Sequence, residues 1–183
     1  MDNRKDLTRR LIAGSFRELM LRCPFEKISI LMITGEAGIR RPTFYNHFQD
    51  KYDLLEWIVD NDVVAPAEAP LRAGDSREAL RVLFTRLTED AAFYRKAFAV
   101  TGQNGFEEAF TARMRDMFLR ARGDGAAPER DELVSERIVA GFNAVCFVSV
   151  VKNWLDAGVE SSVEELIDAY LYLVTHSVWG PTS

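Results

Sequence analysis

The residues with the greatest chemical promise lie together between Ser29 and Lys51. Arg40, Arg41, Pro42 and Thr43 are followed by Tyr45, Asn46, His47 and Lys51, with Phe44 and Phe48 interleaved one helical turn apart. On a helical wheel Phe44 and Phe48 point one way and Pro42, Thr43 and Asn46 the other, with Tyr45 and His47 on the flanks. A face of that kind suits the major groove of duplex DNA. The Arg41 guanidinium can pair with guanine through two donors, while Pro42 and the Thr43 methyl suit a thymine methyl. Arg40 adds a second cation beside them. Tyr45, His47 and Lys51 are residue types that hold phosphates, and phosphate contacts set affinity and register more than sequence choice.

Competing chemistry is thin. The two histidines, His47 and His176, have no glutamate three positions before them, so the helical di-metal arrangement is missing. No GxSxG elbow, HExxH, Walker A loop or strand-linked GxGxxG occurs, and neither an enzyme nor a cofactor is expected. Cys23 and Cys146 stand alone, which argues against a disulfide framework or a zinc site.

The net charge of -5 hides an asymmetry. Residues 1 to 51 hold 10 Lys and Arg against 6 Asp and Glu, a surplus of four positive charges, whereas the remainder holds 13 against 22, a deficit of nine. Counterion release depends on local positive charge, so a basic head on an acidic body is compatible with DNA. Ile138 to Val151, the longest uncharged stretch of the apolar middle, has 14 residues against the roughly 20 that span a bilayer, so no membrane span is expected. The charged N-terminus does not resemble a secretory signal, and a cytoplasmic protein is the expectation.

The elements that must position these residues read as helices throughout, since spacings of 3 and 4 recur and period-2 alternation does not. Ile12, Ser15, Phe16, Leu19, Met20 and Cys23 form one stripe of a first helix, which Pro24 ends. Ser29 is a natural N-cap for a second, Gly38 permits a sharp turn, and Pro42 suits the first turn of a third. A fourth helix is expected from about Lys51 to Val64. Pro66, Pro70 and Gly74 suggest a linker or loop over 65–74, and Asp75 with Glu78 suggests a capping box opening the next helix. Further helices follow at about 91–100, 106–122, 129–157 and from Ser161 or Ser162 onward, with Pro128 opening the long one. The fold class expected is all-α, with a helix-turn-helix head at 1–60 and a second helical domain at 61–183.

Ala37-Gly38-Ile39-Arg40-Arg41-Pro42-Thr43-Phe44-Tyr45-Asn46-His47-Phe48-Gln49-Asp50-Lys51, followed by Asp53-Leu54-Leu55, resembles the signature of the tetracycline-repressor (TetR) family of bacterial regulators. The resemblance covers about residues 6 to 57. It implies a three-helix DNA-binding head, a C-terminal domain that dimerises and takes a small molecule, and transcriptional control through an operator. Carried over by position, Arg41, Pro42 and Thr43 match the base-reading residues; Tyr45, His47 and Lys51 match the backbone-anchoring ones, and Ser29 caps the second helix close to phosphate. Arg40 stands where a small capping residue is common, and Thr34 with Gly35 replaces the usual pair. Pro24 to Ser29 and Phe48 to Trp57 are similar to a subgroup that includes an activator of dihydroxyacetone kinase genes, whose signal arrives through a partner protein.

In the second region Phe93, Tyr94, Phe98, Phe110, Met114, Met117, Phe118, Phe142 and Cys146 could line an apolar pocket, with Asn143 as a polar contact, or be plain core. The last two helices carry more apolar surface than one small domain covers. The expected use is a four-helix dimer interface, with Val148, Val151, Leu166, Tyr170, Leu173 and Val174 as candidates. The competing reading is a helical module that meets a protein partner without reading DNA. A steep loss of binding with salt separates the two.

Overall fold

The computed structural model describes residues 2–102, 105–121, 136–158 and 160–176, and among these every regular element is helical. Helix α1 (Asp2–Arg22) buries Ile12, Ser15, Phe16, Leu19 and Met20 along one stripe, as the spacing required. A 3-10 turn, Phe25–Lys27, leads to α2 (Ile30–Glu36), where the Ser29 hydroxyl accepts the Met32 amide at 3.2 Å and so caps the helix. Gly38 takes φ 64° in the turn to α3 (Arg41–Tyr45). A Cβ there would meet nothing within 4 Å, so the cost of Gly38→Ala is backbone strain alone. We expect a loss of about 1 kcal/mol in denaturant unfolding.

Helix α4 (Lys51–Val59) starts under an Asp50 cap that accepts the Tyr52 and Asp53 amides. It does not end at the expected loop. A wide turn, Asp60–Val64, in which the Ala65 amide donates to the Asp60 carbonyl five residues back, carries the chain into α5 (Ala65–Arg72). Pro66 lies in the first turn of α5, where a missing amide hydrogen costs little, and Pro70 is carried inside it; prolines that read as a linker therefore sit in a helix.

The body comprises α6 (Ser76–Glu89), α7 (Ala91–Phe98), α8 (Phe106–Ala121), α9 (Glu136–Asp156) and α10 (Val163–Thr175). Asp75 caps α6 through the Glu78 amide, and Ser162 with Glu165 forms a reciprocal capping box on α10. The expected start of the long helix, including Pro128, lies outside the described residues. Phe147 of α9 is fully buried between Phe84 of α6, Phe110 and Phe118 of α8, and Tyr170 of α10. The C-terminal end of α9 is anchored by Arg95, which donates two hydrogen bonds to the Leu155 carbonyl at 2.8 and 2.6 Å. By length and composition α9 is apolar enough to cross a membrane. Its buried face, Ala144, Phe147, Val151 and Leu155, packs as a core helix does.

Among the described residues, α1 packs directly against the body. Phe16 meets Phe25 within the head at 6.2 Å and Phe93 of α7 at 6.5 Å, both edge to face. Beside it Arg17 pairs with Asp62 in the wide turn and with Asp90 at the α6–α7 junction, its guanidinium lying 5.1 Å from the Phe93 ring. The wide turn and the α6–α7 junction are thereby tied to the N-terminal helices through one side of α1.

Candidate nucleic-acid interface and regulatory cavity

Helices α2 and α3 meet across the Gly38 turn, and α3 is held by its apolar side. Phe44 is fully buried and packs on Phe48 at 5.8 Å, and Phe48 in turn meets Trp57 of α4. That anchoring leaves Arg40, Arg41, Pro42, Tyr45 and Asn46 exposed on the opposite side, with Thr43 and His47 half-buried at its edges. Of the residues that the sequence assigned to DNA, those of α3 and its ends share this exposure, whereas Ser29 caps α2 and Lys51 turns inward.

Their pairings are more particular than the sequence suggested. The Arg41 Nη2 donates to the Tyr45 hydroxyl at 3.2 Å, and the guanidinium carbon lies 5.9 Å from the Tyr45 ring centroid. Tyr45 thus steers Arg41, in addition to offering a hydroxyl outward. His47 is held below its ordinary pKa, first by burial and then by Arg9 and Lys5. Those two cations of α1 lie near enough to act on the His47 charge, and the sequence reading did not single them out. Their signal was present in the basic run Arg4, Lys5, Arg9, Arg10, but only packing brings α1 alongside His47.

Lys51 does not stand where a phosphate ligand was expected. Its ammonium turns inward and donates to the carbonyls of Phe25 at 2.7 Å and Ile28 at 3.0 Å. Burial pushes its pKa down.

Most of the ten pocket candidates pack as plain core and do not line a common pocket. Phe93, Tyr94, Phe98, Phe110, Met114 and Met117 are buried core, Cys146 is half-buried, and Phe142 is 60% exposed. A cavity of about 400 Å³ does exist, between α5, α6, α8, α9 and α10. Of the candidates, only Phe118 and Asn143 line it; the rest of the wall comes from residues such as Leu71, Leu80, Leu83, Val139 and Leu171. Its polar spot is built: the Tyr170 hydroxyl donates to Asn143 Oδ1 at 3.1 Å, and Asn143 Nδ2 donates to the Val139 carbonyl at 2.8 Å. Burial raises the Tyr170 pKa, so its proton stays in place at neutral pH.

The interface candidates also divide differently. Val148, Val151, Leu166 and Tyr170 are buried inside their own chain, which corrects their assignment to a surface between subunits; Leu173 is exposed and Val174 half-buried. The uncovered side of α9 instead carries Ile138, Phe142 and Val145, exposed by 60%, 60% and 56%, and α10 adds Tyr172 and Leu173. An apolar helix without a polar side offers no sequence clue to which stripe stays outside.

Residues 17–58, which end within α4, match the family described as "Bacterial regulatory proteins, tetR family", and residues 74–176 match "Transcriptional regulator C-terminal region" of the same family. The HTH-type dhaKLM operon transcriptional activator DhaS of Lactococcus lactis subsp. lactis (strain IL1403) is 35% identical over 104 residues, which is 57% of this chain and 54% of that relative. The aligned part thus spans about half of the relative's length. The solved structure of a dihydroxyacetone kinase operon activator DhaS superimposes with a TM-score of 0.62 at 28% identity, covering 91% of this chain and 93% of that one. The Thermus thermophilus FadR repressor, crystallised with lauroyl-CoA, shares the fold at a TM-score of 0.64 and 16% identity, over 96% of this chain and 100% of that one. With its helix-turn-helix, its all-helical body and matches over both parts, the chain belongs to the TetR family and is a transcriptional regulator of that type.

Proposed function

We propose that the chain acts in the cytoplasm as a homodimer on a two-fold symmetric DNA operator, with a reading head at about 1–60 and a regulatory body at about 61–183. Arg41, Pro42 and Thr43 read base edges, and Arg40 and Asn46 lie beside them. Tyr45, His47 and Ser29, joined by Lys5 and Arg9, meet the phosphate backbone. The observation that carries this reading is the one-sided anchoring of α3: Phe44 and Phe48 are buried and the outward side keeps its cations and donors. Dimerisation is assigned to the uncovered apolar stripe Ile138, Phe142, Val145, Tyr172 and Leu173; a two-fold dimer of helix-turn-helix heads meets half-sites about 34 to 36 Å apart. The signal enters through the apolar cavity. Among the described residues no charged side chain lines it, and the effector that fits this wall is an uncharged, largely apolar molecule with one group that hydrogen-bonds the Asn143–Tyr170 pair.

Selection of tight binders from a random duplex library tests the whole reading. A palindromic consensus with steep salt dependence supports it, and a chain indifferent to every duplex at low salt refutes it.

His47 adds a pH dependence whose sign follows from its surroundings. In the free protein its charged form is disfavoured, whereas phosphate oxygens favour that form, so operator binding takes up protons. Affinity should rise as the pH is lowered from about 7.5 to about 6, and His47→Gln should flatten the profile, as read by anisotropy titrations at constant ionic strength.

A further inference from the structure

We propose that Lys51 is a positioning residue for DNA readout rather than a phosphate ligand, its ammonium latching the turn before α2 onto the start of α4. A lysine ammonium has three donors and no acceptor. Here they face the carbonyls of Phe25 at 2.7 Å, Ile28 at 3.0 Å and Glu26 at 3.4 Å, and the nitrogen lies 4.3 Å from the Phe25 ring centroid. These carbonyls belong to the 3-10 turn and its end; the Phe25 carbonyl also accepts the Ile28 amide at 3.0 Å, so the ammonium is its second donor. To reach a phosphate, Lys51 would have to leave all of them.

The latch matters for readout because of what it encloses. Lys51 and Ile28 are 23 positions apart, and between them lie Ser29, α2, the Gly38 turn and α3. Phe25 and Ile28 are buried, and Phe25 also meets Tyr52 of α4 at 4.9 Å, so the turn is seated by apolar contacts and oriented by the ammonium. One cation therefore ties both ends of the helix-turn-helix together and sets where α2 begins relative to the end of α3.

The test uses the full chain and rests on the DNA-binding reading for one of its two arms. Lys51→Met keeps an apolar stem without donors, and Lys51→Arg keeps the charge on a planar fork that does not fit three converging carbonyls. In the free protein, amide exchange over residues 27–32 should quicken in both variants. On the selected duplex, affinity should fall about tenfold in both, with the slope of log K against log salt unchanged. The latch is overturned if exchange stays at the wild-type rate in Lys51→Arg, or if the salt slope of Lys51→Met drops by about 0.9 per head, the signature of one lost phosphate contact. If Lys51→Met fails to fold, the amide exchange of Lys51→Arg decides alone. Should the wild type bind no duplex, the DNA reading fails while the exchange arm still decides the latch.

Discussion

Alanine at position 41 is expected to weaken binding to the best operator by about 1 to 3 kcal/mol per half-site and to relax sequence preference at one base position. Arg41 is exposed in the first turn of α3, and its Nη2 already donates to the Tyr45 hydroxyl at 3.2 Å. A side chain held in that way loses less rotamer freedom on docking, and four guanidinium donors remain for a guanine edge and its surroundings. Lysine at the same position keeps the charge but not the fork, so Arg41→Lys should retain the salt slope and lose the preference. Competition titrations against single-base variants of the operator check this. An equal loss on every duplex would make Arg41 a phosphate contact instead.

In the dimer proposed above, Phe142→Glu should separate the two subunits while leaving each folded. The ring is 60% exposed, and surface changes away from packed features usually stay within about 0.5 kcal/mol of the wild type in stability. In an isologous interface each subunit contributes the same patch, so one substitution brings two carboxylates into an apolar contact between Ile138 and Val145. Losing the linkage between two heads removes a factor of about 10² to 10⁴ in operator affinity. Sedimentation and operator titration read the two effects together. The control is Val148→Glu, which buries a charge inside the chain, because Val148 is 2% exposed, and should unfold the body. A Phe142→Glu chain that stays dimeric and binds normally would move the interface elsewhere.

Several elements were legible in the chain because they depend on neighbours within one or two turns. Ser29, Asp75 and Ser162 cap the helices they were expected to cap, and the Phe44–Phe48 pair anchors α3 as its spacing required. The loop expected at 65–74 was misread for a local reason as well: the wide turn ending at Val64 leads Pro66 into a helical first turn, an arrangement that proline counting does not foresee.

The sequence by itself determined an all-helical chain, the family to which it belongs, and which side chains share the outer face of α3. The tertiary structure decided which stripe of α9 stays uncovered, where the cavity lies, and that Lys51 spends its donors on Phe25 and Ile28. Caps and helical periodicity are set by atoms a few residues apart. Burial and the choice of a hydrogen-bond partner 23 positions away are set by which surfaces meet once the helices have packed.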